Sequence, residues 1–284
     1  MIVVCELVEL YSLKNLLEIS KLARATYFYQ KSRLDYKKSK DREILEQIRE
    51  LFDKNYHKYG VRRITIALKS RGYSINHKRV ERIMRENNIA GKINKRKYRS
   101  YKGDVGRIAD NILNRDFKTE RPYQKVGTDV TQFITKYGKL YLSPIIDFHT
   151  REILSYDLSE SPNLDQIRRM MTKLKNNHGK HINGCIIHSD QGWQYQMRYY
   201  RKSIEENQMI QSMSRKGNCL DNSPTENFFG RLKEEMYYDN ENDFKSLEHL
   251  KAEIHKYINY YNNERIVTNL RTSPVKCRIL SCKN

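Results

Sequence analysis

The stretch Cys185-Ile186-Ile187-His188-Ser189-Asp190-Gln191-Gly192 carries the clearest architectural signal in the 284-residue chain. A short apolar run ending in a carboxylate is how a buried strand delivers an acid to the carboxyl edge of a sheet, where the sites of α/β proteins gather. Upstream, residues 126–133, 140–148 and 152–158 are short, β-rich and closely spaced, with Tyr137-Gly138 as a turn between the first two. A helix is predicted over 164–176, through Ile167, Met170, Met171 and Leu174. Downstream the pattern predicts a helix near 195–207, a strand over 211–213, and helices near 224–237 and 246–263. Three consecutive strands followed by strand–helix alternation predict an α/β fold on a mixed sheet.

Three carboxylates hold special places in this scheme. Asp129 lies inside the first strand, where a charge is costly unless a cation pairs with it. Asp190 stands at the end of the buried strand, and Glu226 falls in the first turn of a helix opened by Pro224. Taken singly, each acid reads as structural; Glu226, for example, suits the N-terminal end of a helix dipole. Together they supply hard oxygen ligands from three separate elements, the donor set that Mg²⁺ takes for phosphoryl transfer. Two such ions about 3.5–4 Å apart activate an attacking oxygen and stabilise a leaving one.

The charge of the chain points to a polyanion. Lys and Arg number 54 against 34 Asp and Glu, a net charge of +20. Residues 54–102 alone hold 16 basic residues and only Glu81 and Glu86 as acids. In this region Ile44, Ile48, Leu51 and Phe52, then Ile64, Ala67 and Leu68, then Val80, Ile83 and Met84 repeat a helical spacing. Gly72 ends the middle helix and Asn76 caps the last, which gives helix-turn-helix proportions. The outward face of the last helix is basic (His77, Lys78, Arg79, Arg82, Arg85), as a helix meeting DNA would be. Residues 11–33 read as two short helices, and residues 91–122 as a basic linker carrying Arg96 and Lys97. The five cysteines are scattered without a C-x-x-C, which favours free thiols in a reducing compartment. No apolar run approaches the roughly 20 residues that span a bilayer, and no signal peptide opens the chain; the expectation is a cytoplasmic protein.

Between Asp190 and Glu226 lie 35 residues. Two aspartates, a 35-residue gap and a glutamate resemble the pattern of retroviral integrases and the insertion-sequence transposases related to them. The local words agree: Gly127-Thr128-Asp129-Val130-Thr131, His188-Ser189-Asp190-Gln191-Gly192, Ser212-Met213-Ser214-Arg215-Lys216-Gly217-Asn218-Cys219-Leu220-Asp221-Asn222, and Glu226-Asn227-Phe228-Phe229. Tyr59-Gly60-Val61-Arg62-Arg63-Ile64, Tyr260-Tyr261-Asn262-Asn263-Glu264-Arg265 and Ser273-Pro274 extend the likeness to both ends. Many relatives carry a tryptophan just before the first Thr-Asp pair, where this chain has Val126 or Gly127, and the His/Cys zinc module of retroviral integrases is missing.

The resemblance implies a ribonuclease-H-like core with a mixed five-stranded sheet, preceded by a helix-turn-helix-type region. It implies Mg²⁺ or Mn²⁺, two ions, held by Asp129, Asp190 and Glu226, and DNA cleavage and joining by a 3′-hydroxyl. The expected layout is a helical segment at 1–40, a DNA-binding region at 41–90, the linker at 91–122, the catalytic core at 123–238, and a helix and tail at 239–284 that complete it. Expected DNA contacts are Lys233, Arg62, Arg63, Lys78, Arg79, Arg82, Arg96 and Lys97; His188, Asp221 and Asn222 are expected to support the site. Lys233 shares the helix face of Glu226 through Gly230. Joining two ends implies a homo-oligomer. Relatives of this length are often the second of two overlapping frames, so fusion or association with an upstream-frame protein is expected too. Two other functions use the same features: a DNA-binding regulator of transposition without chemistry, and a ribonuclease-H-like nuclease that hydrolyses without joining.

Overall fold

The computed structural model describes residues 2–91, 108–215 and 219–281. Arg96 and Lys97 lie outside these. The chain divides into two compact units, 1–91 and 92–284.

The first unit is helical: α1 (Ile2–Leu7), α2 (Leu13–Ser20), α3 (Arg24–Lys54), α4 (Val61–Ser70) and α5 (His77–Glu86). Ser12 caps α2 by accepting from Asn15 N. The chain then turns on Lys21, in the left-handed conformation at φ 51°, so the corner near residues 20–23 needs no glycine. The second of the short helices expected within 11–33 is the start of the 31-residue α3, which runs unbroken through the expected boundary at residue 40. Arg24–Lys54 contains neither Gly nor Pro, and its polar middle hides the helix from an apolar-period reading. Ile44, Ile48 and Leu51 of α3 are buried, as are Ile64 and Leu68 of α4 and Val80, Ile83 and Met84 of α5. Asn76 Oδ1 accepts from Lys78 N, and Gly72 takes φ +90° in the turn between α4 and α5, both as expected.

The basic face of α5 is less free than its sequence suggests. Arg79 and Arg82 both reach back to Asp41 of α3, at 2.9 and 2.6 Å, and Arg82 also pairs with Glu86 at 2.9 Å. Burial works against the charged form of Asp41, yet the two guanidiniums hold its carboxyl below the usual range. These arginines tie α3 to α5 while keeping 35% and 30% of their side-chain surface exposed. Arg63 lies over the Tyr59 ring, at 5.4 Å from its centre. Arg62, Lys78 and Arg85 stay exposed.

The second unit is built on a mixed sheet. Its elements are β1 (Lys125–Thr128), β2 (Thr131–Thr135), β3 (Gly138–Asp147), β4 (Ile153–Ser159), α6 (Leu164–His178), β5 (Ile186–Ser189), α7 (Trp193–Gln196), α8 (Arg198–Glu206), β6 (Ile210–Met213), α9 (Ser223–Leu232), α10 (Leu247–Asn263) and α11 (Pro274–Ser281). Val126 faces Asp147, Thr128 faces Ile145 and Thr131 faces Leu142, one unbroken register along β3. β1 and β2 are therefore one line interrupted at Asp129-Val130, and the register sets Asp129 opposite Pro144, which has no N–H for a ladder. With that line as one strand, the sheet has five positions in the order β4, β3, β1–β2, β5, β6. The pairs β1–β5 and β5–β6 are parallel and the others antiparallel.

Other departures are local. The helix expected near 195–207 breaks at Met197 into α7 and α8. The helix expected to 237 is α9 followed by a π turn, Lys233–Tyr237. Within the expected linker, residues 110–113 lie along the β6 edge of the sheet: Asp110 O accepts from Met213 N, and Leu113 N donates to Ser212 Oγ at 3.1 Å. Among the described residues no helix is long and apolar enough to cross a membrane.

Candidate active site

The fold brings the three carboxylates to one end of the sheet. Gly127 of β1 pairs with His188 of β5, so Asp129 and Asp190, each two residues further on, leave adjacent parallel strands side by side. Asp129 Oδ1 accepts from Val130 N at 2.7 Å, and Asp190 Oδ1 from Gly192 N at 2.9 Å. Glu226 joins them from the first turn of α9. Gly127 permits that approach: a Cβ there would lie 2.6 Å from Thr225 Oγ1 and 2.6 Å from Phe148 Cε1. Gly127→Ala is therefore expected to cost about 1–3 kcal/mol in a denaturation experiment, the usual range for overpacking, and to slow catalysis by pushing α9 from β1.

The electrostatics show that the acids sense one another. Burial, then the charges of Asp190 and Glu226, push the Asp129 carboxyl well above the usual range. Burial raises Asp190, and burial with the Asp190 charge raises Glu226. Among the described residues, however, no three His, Cys, Asp or Glu side chains converge closely enough to form a metal cage. The chemistry of the donor set still fits a hard divalent cation, with carboxylate oxygens from three elements and no thiol or imidazole among them. Beside them, Asn222 Nδ2 and Oδ1 and Thr225 Oγ1 are buried with no protein hydrogen-bond partner, as at a site completed from outside.

Comparison with known proteins assigns the family. An HTH-like domain model matches residues 39–97, and integrase core domain models match 119–219 and 226–281. Transposase InsK for insertion sequence element IS150 of Escherichia coli K12 is 42% identical over 274 residues, covering 96% of this chain and 95% of that protein. The chain belongs to the insertion-sequence transposases. A transposase-like protein of Haemophilus influenzae is 52% identical, covering 73% of this transposase and 94% of the relative. A transposase for element IS1353 of Shigella flexneri is 36% identical; the match takes in 94% of this chain and 52% of that longer protein.

Several supporting residues of the transposase sit differently from expectation. Lys233 is buried, 8% exposed, with its Nζ 5.2 Å from the centre of the Phe133 ring. Burial lowers its pKa to about 8, against the opposing pull of Asp129. It lies close enough to Asp129 for the two charges to interact. His188 Nδ1 meets Ser212 Oγ at 2.9 Å, and burial lowers its pKa to about 4, so the ring is neutral at pH 7. His188 thus fastens β5 to β6 as a neutral ring two residues before Asp190. Asp221 holds the loop before α9, bonding to Arg115, Arg215 and Asn111, whereas Asn222 makes no side-chain cap bond.

Sequence reasoning missed one buried network altogether. Arg265, 1% exposed, donates from Nε to Glu235 Oε2 at 2.7 Å, and Tyr257 Oη donates to the same oxygen at 2.8 Å. Glu235 lies in the π turn after α9, and Arg265 follows α10. The available signal was the Tyr260–Arg265 word, read only as a family ending.

Proposed function

We propose that this transposase cleaves and joins DNA strands at Asp129, Asp190 and Glu226, which hold Mg²⁺ or Mn²⁺, two ions, against the reacting phosphate. The observation carrying this reading is the placement of three carboxylates just past β1, just past β5 and in the first turn of α9, with burial raising the proton affinity of each and the Asp190 charge adding to that of Asp129 and Glu226. Bound there, the metal supplies Lewis-acid charge for activating the attacking oxygen and stabilising the leaving one. Asp129 and Asp190 each anchor one oxygen on a backbone N–H, which fixes their orientation and leaves the other oxygen for ligation. Lys233 presents a buried cation where negative charge grows on the phosphate. Gly127 and Asp221 hold α9, and with it Glu226, in place.

The turn between α4 and α5 and the exposed Arg62 and Lys78 are proposed to meet DNA, in a cytoplasmic homo-oligomer that associates with an upstream-frame protein. Lys78→Gln and Arg85→Gln are expected to flatten the salt dependence of DNA affinity by about 0.9 in log–log slope for each phosphate contact removed. Arg82→Gln should instead lower stability by roughly 1 kcal/mol, since the Asp41 pair it breaks is partly shielded. A titration series from low to high salt, with thermal melts alongside, separates the two effects.

The experiment for the function is to incubate the protein with labelled element ends and Mg²⁺. Joined products are expected. Binding without cleavage would identify a regulator, and cleavage without joining a nuclease.

A further inference from the structure

Asp221 is fully buried just ahead of α9, and more cation surrounds it than one carboxylate needs. Arg215 gives it a backbone N–H at 3.1 Å, Nε at 3.0 Å and Nη2 at 3.1 Å; Asn111 Nδ2 adds a bond at 3.2 Å. Arg115 Nε arrives as well, at 2.6 Å. Two guanidiniums against one acid leave a net charge of +1 at this place, and the carboxyl is held below its ordinary range by Arg215 and, against the effect of burial, by Arg115. Arg215 alone would satisfy both oxygens.

The surplus arginine is brought there at a cost in backbone conformation. Asn114 and Arg115 are successive left-handed residues, with φ 42° and 64°. Asparagine tolerates that region and arginine does so rarely. The Asn111 side chain holds the turn by accepting from Asn114 N at 2.9 Å. Strain of this kind gathers at ligand clamps, where surrounding bonds over-determine it. Beyond its Nε, the Arg115 side chain makes no hydrogen bond within the described residues, which leaves both terminal amino groups for a further partner. Its side chain is 42% exposed and that of Arg215 is 54% exposed.

We propose that Arg115 and Arg215 form a clamp for a backbone phosphate of the DNA strand entering the active site, with Asp221 as its fixed base. The proposal rests on the transposase reading above. A guanidinium whose inner edge is pinned to a carboxylate presents its outer N–H groups in a set direction, the geometry that matches phosphate oxygens. Asp221 precedes Glu226 by five residues of 3₁₀ and α-helix. At about 1.5–2 Å of rise per residue, that is on the order of 8–10 Å. The clamp is therefore placed to grip the strand close to the phosphate at the triad. The same carboxylate holds the 3₁₀ turn that leads into α9, so the group that grips the strand also sets the helix that carries Glu226.

The test measures affinity for element-end DNA against salt concentration in the absence of divalent metal. Arg115→Gln and Arg215→Gln are each expected to lower the log–log slope by about 0.9, the release expected for one phosphate. Arg115→Lys should restore the slope, and Lys180→Gln, on the far side of the same unit, should leave it unchanged. With DNA concentration varied, Arg115→Gln should raise KM by a larger factor than it lowers kcat. If both arginine variants keep the parental slope, whether or not their melting temperatures fall, the arginines are rivets for Asp221 and the clamp is wrong. If the parent itself has no affinity for DNA, the transposase reading falls and takes the clamp with it.

Discussion

Asp190→Asn is expected to reduce strand joining by roughly 10³-fold or more while leaving DNA affinity near the parental value. The metal's charge stabilisation is worth several kcal/mol, and each 1.4 kcal/mol is a factor of ten in rate. Asp129→Asn and Glu226→Gln should behave alike, since each removes one ligand of the same site. A second consequence distinguishes these variants from damaged ones. The folded protein holds Asp129 with a raised carboxyl pKa, from burial and then from Asp190 and Glu226. A raised carboxyl pKa means that the folded state prefers the protonated form. That preference stabilises the fold at low pH and is lost as pH rises through the folded value. At neutral pH without metal, Asp129→Asn removes the unfavourable charge, so its melting temperature should rise above the parent's while activity disappears. The pH profile of joining follows from the same groups. Activity should fall on the acid side at a higher pH than ordinary carboxylates would give, because all three must ionise to ligate. On the alkaline side it should fall near the Lys233 pKa of about 8, and Lys233→Arg should move that limb upward.

Arg265→Met is expected to destabilise the second unit by about 3–5 kcal/mol, the range for breaking a buried ion pair by removing one partner. Glu235 is 7% exposed, and without Arg265 it would lose the guanidinium that balances its buried charge. The double variant Glu235→Gln, Arg265→Met should recover much of the loss, because it leaves no uncompensated charge. Tyr257→Phe should cost about 1 kcal/mol, one hydrogen bond's worth. Urea denaturation of the parent, Arg265→Met, Glu235→Gln and the double variant gives the cycle directly. A single-variant loss under 1 kcal/mol would show that the pair does not hold α10 to the π turn.

What could be read from the sequence, and what could not, follows the range of the interactions. The strand ending at Asp190 was legible because an apolar run closed by an acid is a local pattern. Glu226 was legible because Pro224 marks the helix start beside it. The continuity of α3 was not, since residues 31–40 carry no apolar stripe, and a solvent-facing helix without breakers leaves little periodic trace. The interruption at Asp129 depends on Pro144, fifteen residues away on the facing strand. Pairing of Arg79 and Arg82 with Asp41 spans 38 and 41 residues, and Asp221 with Arg115 spans 106. Charges that meet across such separations look unpaired in one dimension, which is why the face of α5 read as freer than it is. Lys233 was placed on the correct helix face, but its burial depends on Phe133, which β2 brings to it.

The central claim, that three carboxylates form one divalent-metal site, is tested most directly by calorimetric titration of Mn²⁺ into the parent, Asp129→Asn, Asp190→Asn and Glu226→Gln proteins, with melting curves at each metal concentration. The account predicts saturable binding and a metal-dependent rise in melting temperature for the parent, both sharply reduced in every variant. Equal Mn²⁺ affinity in the parent and any one of the three variants would contradict it.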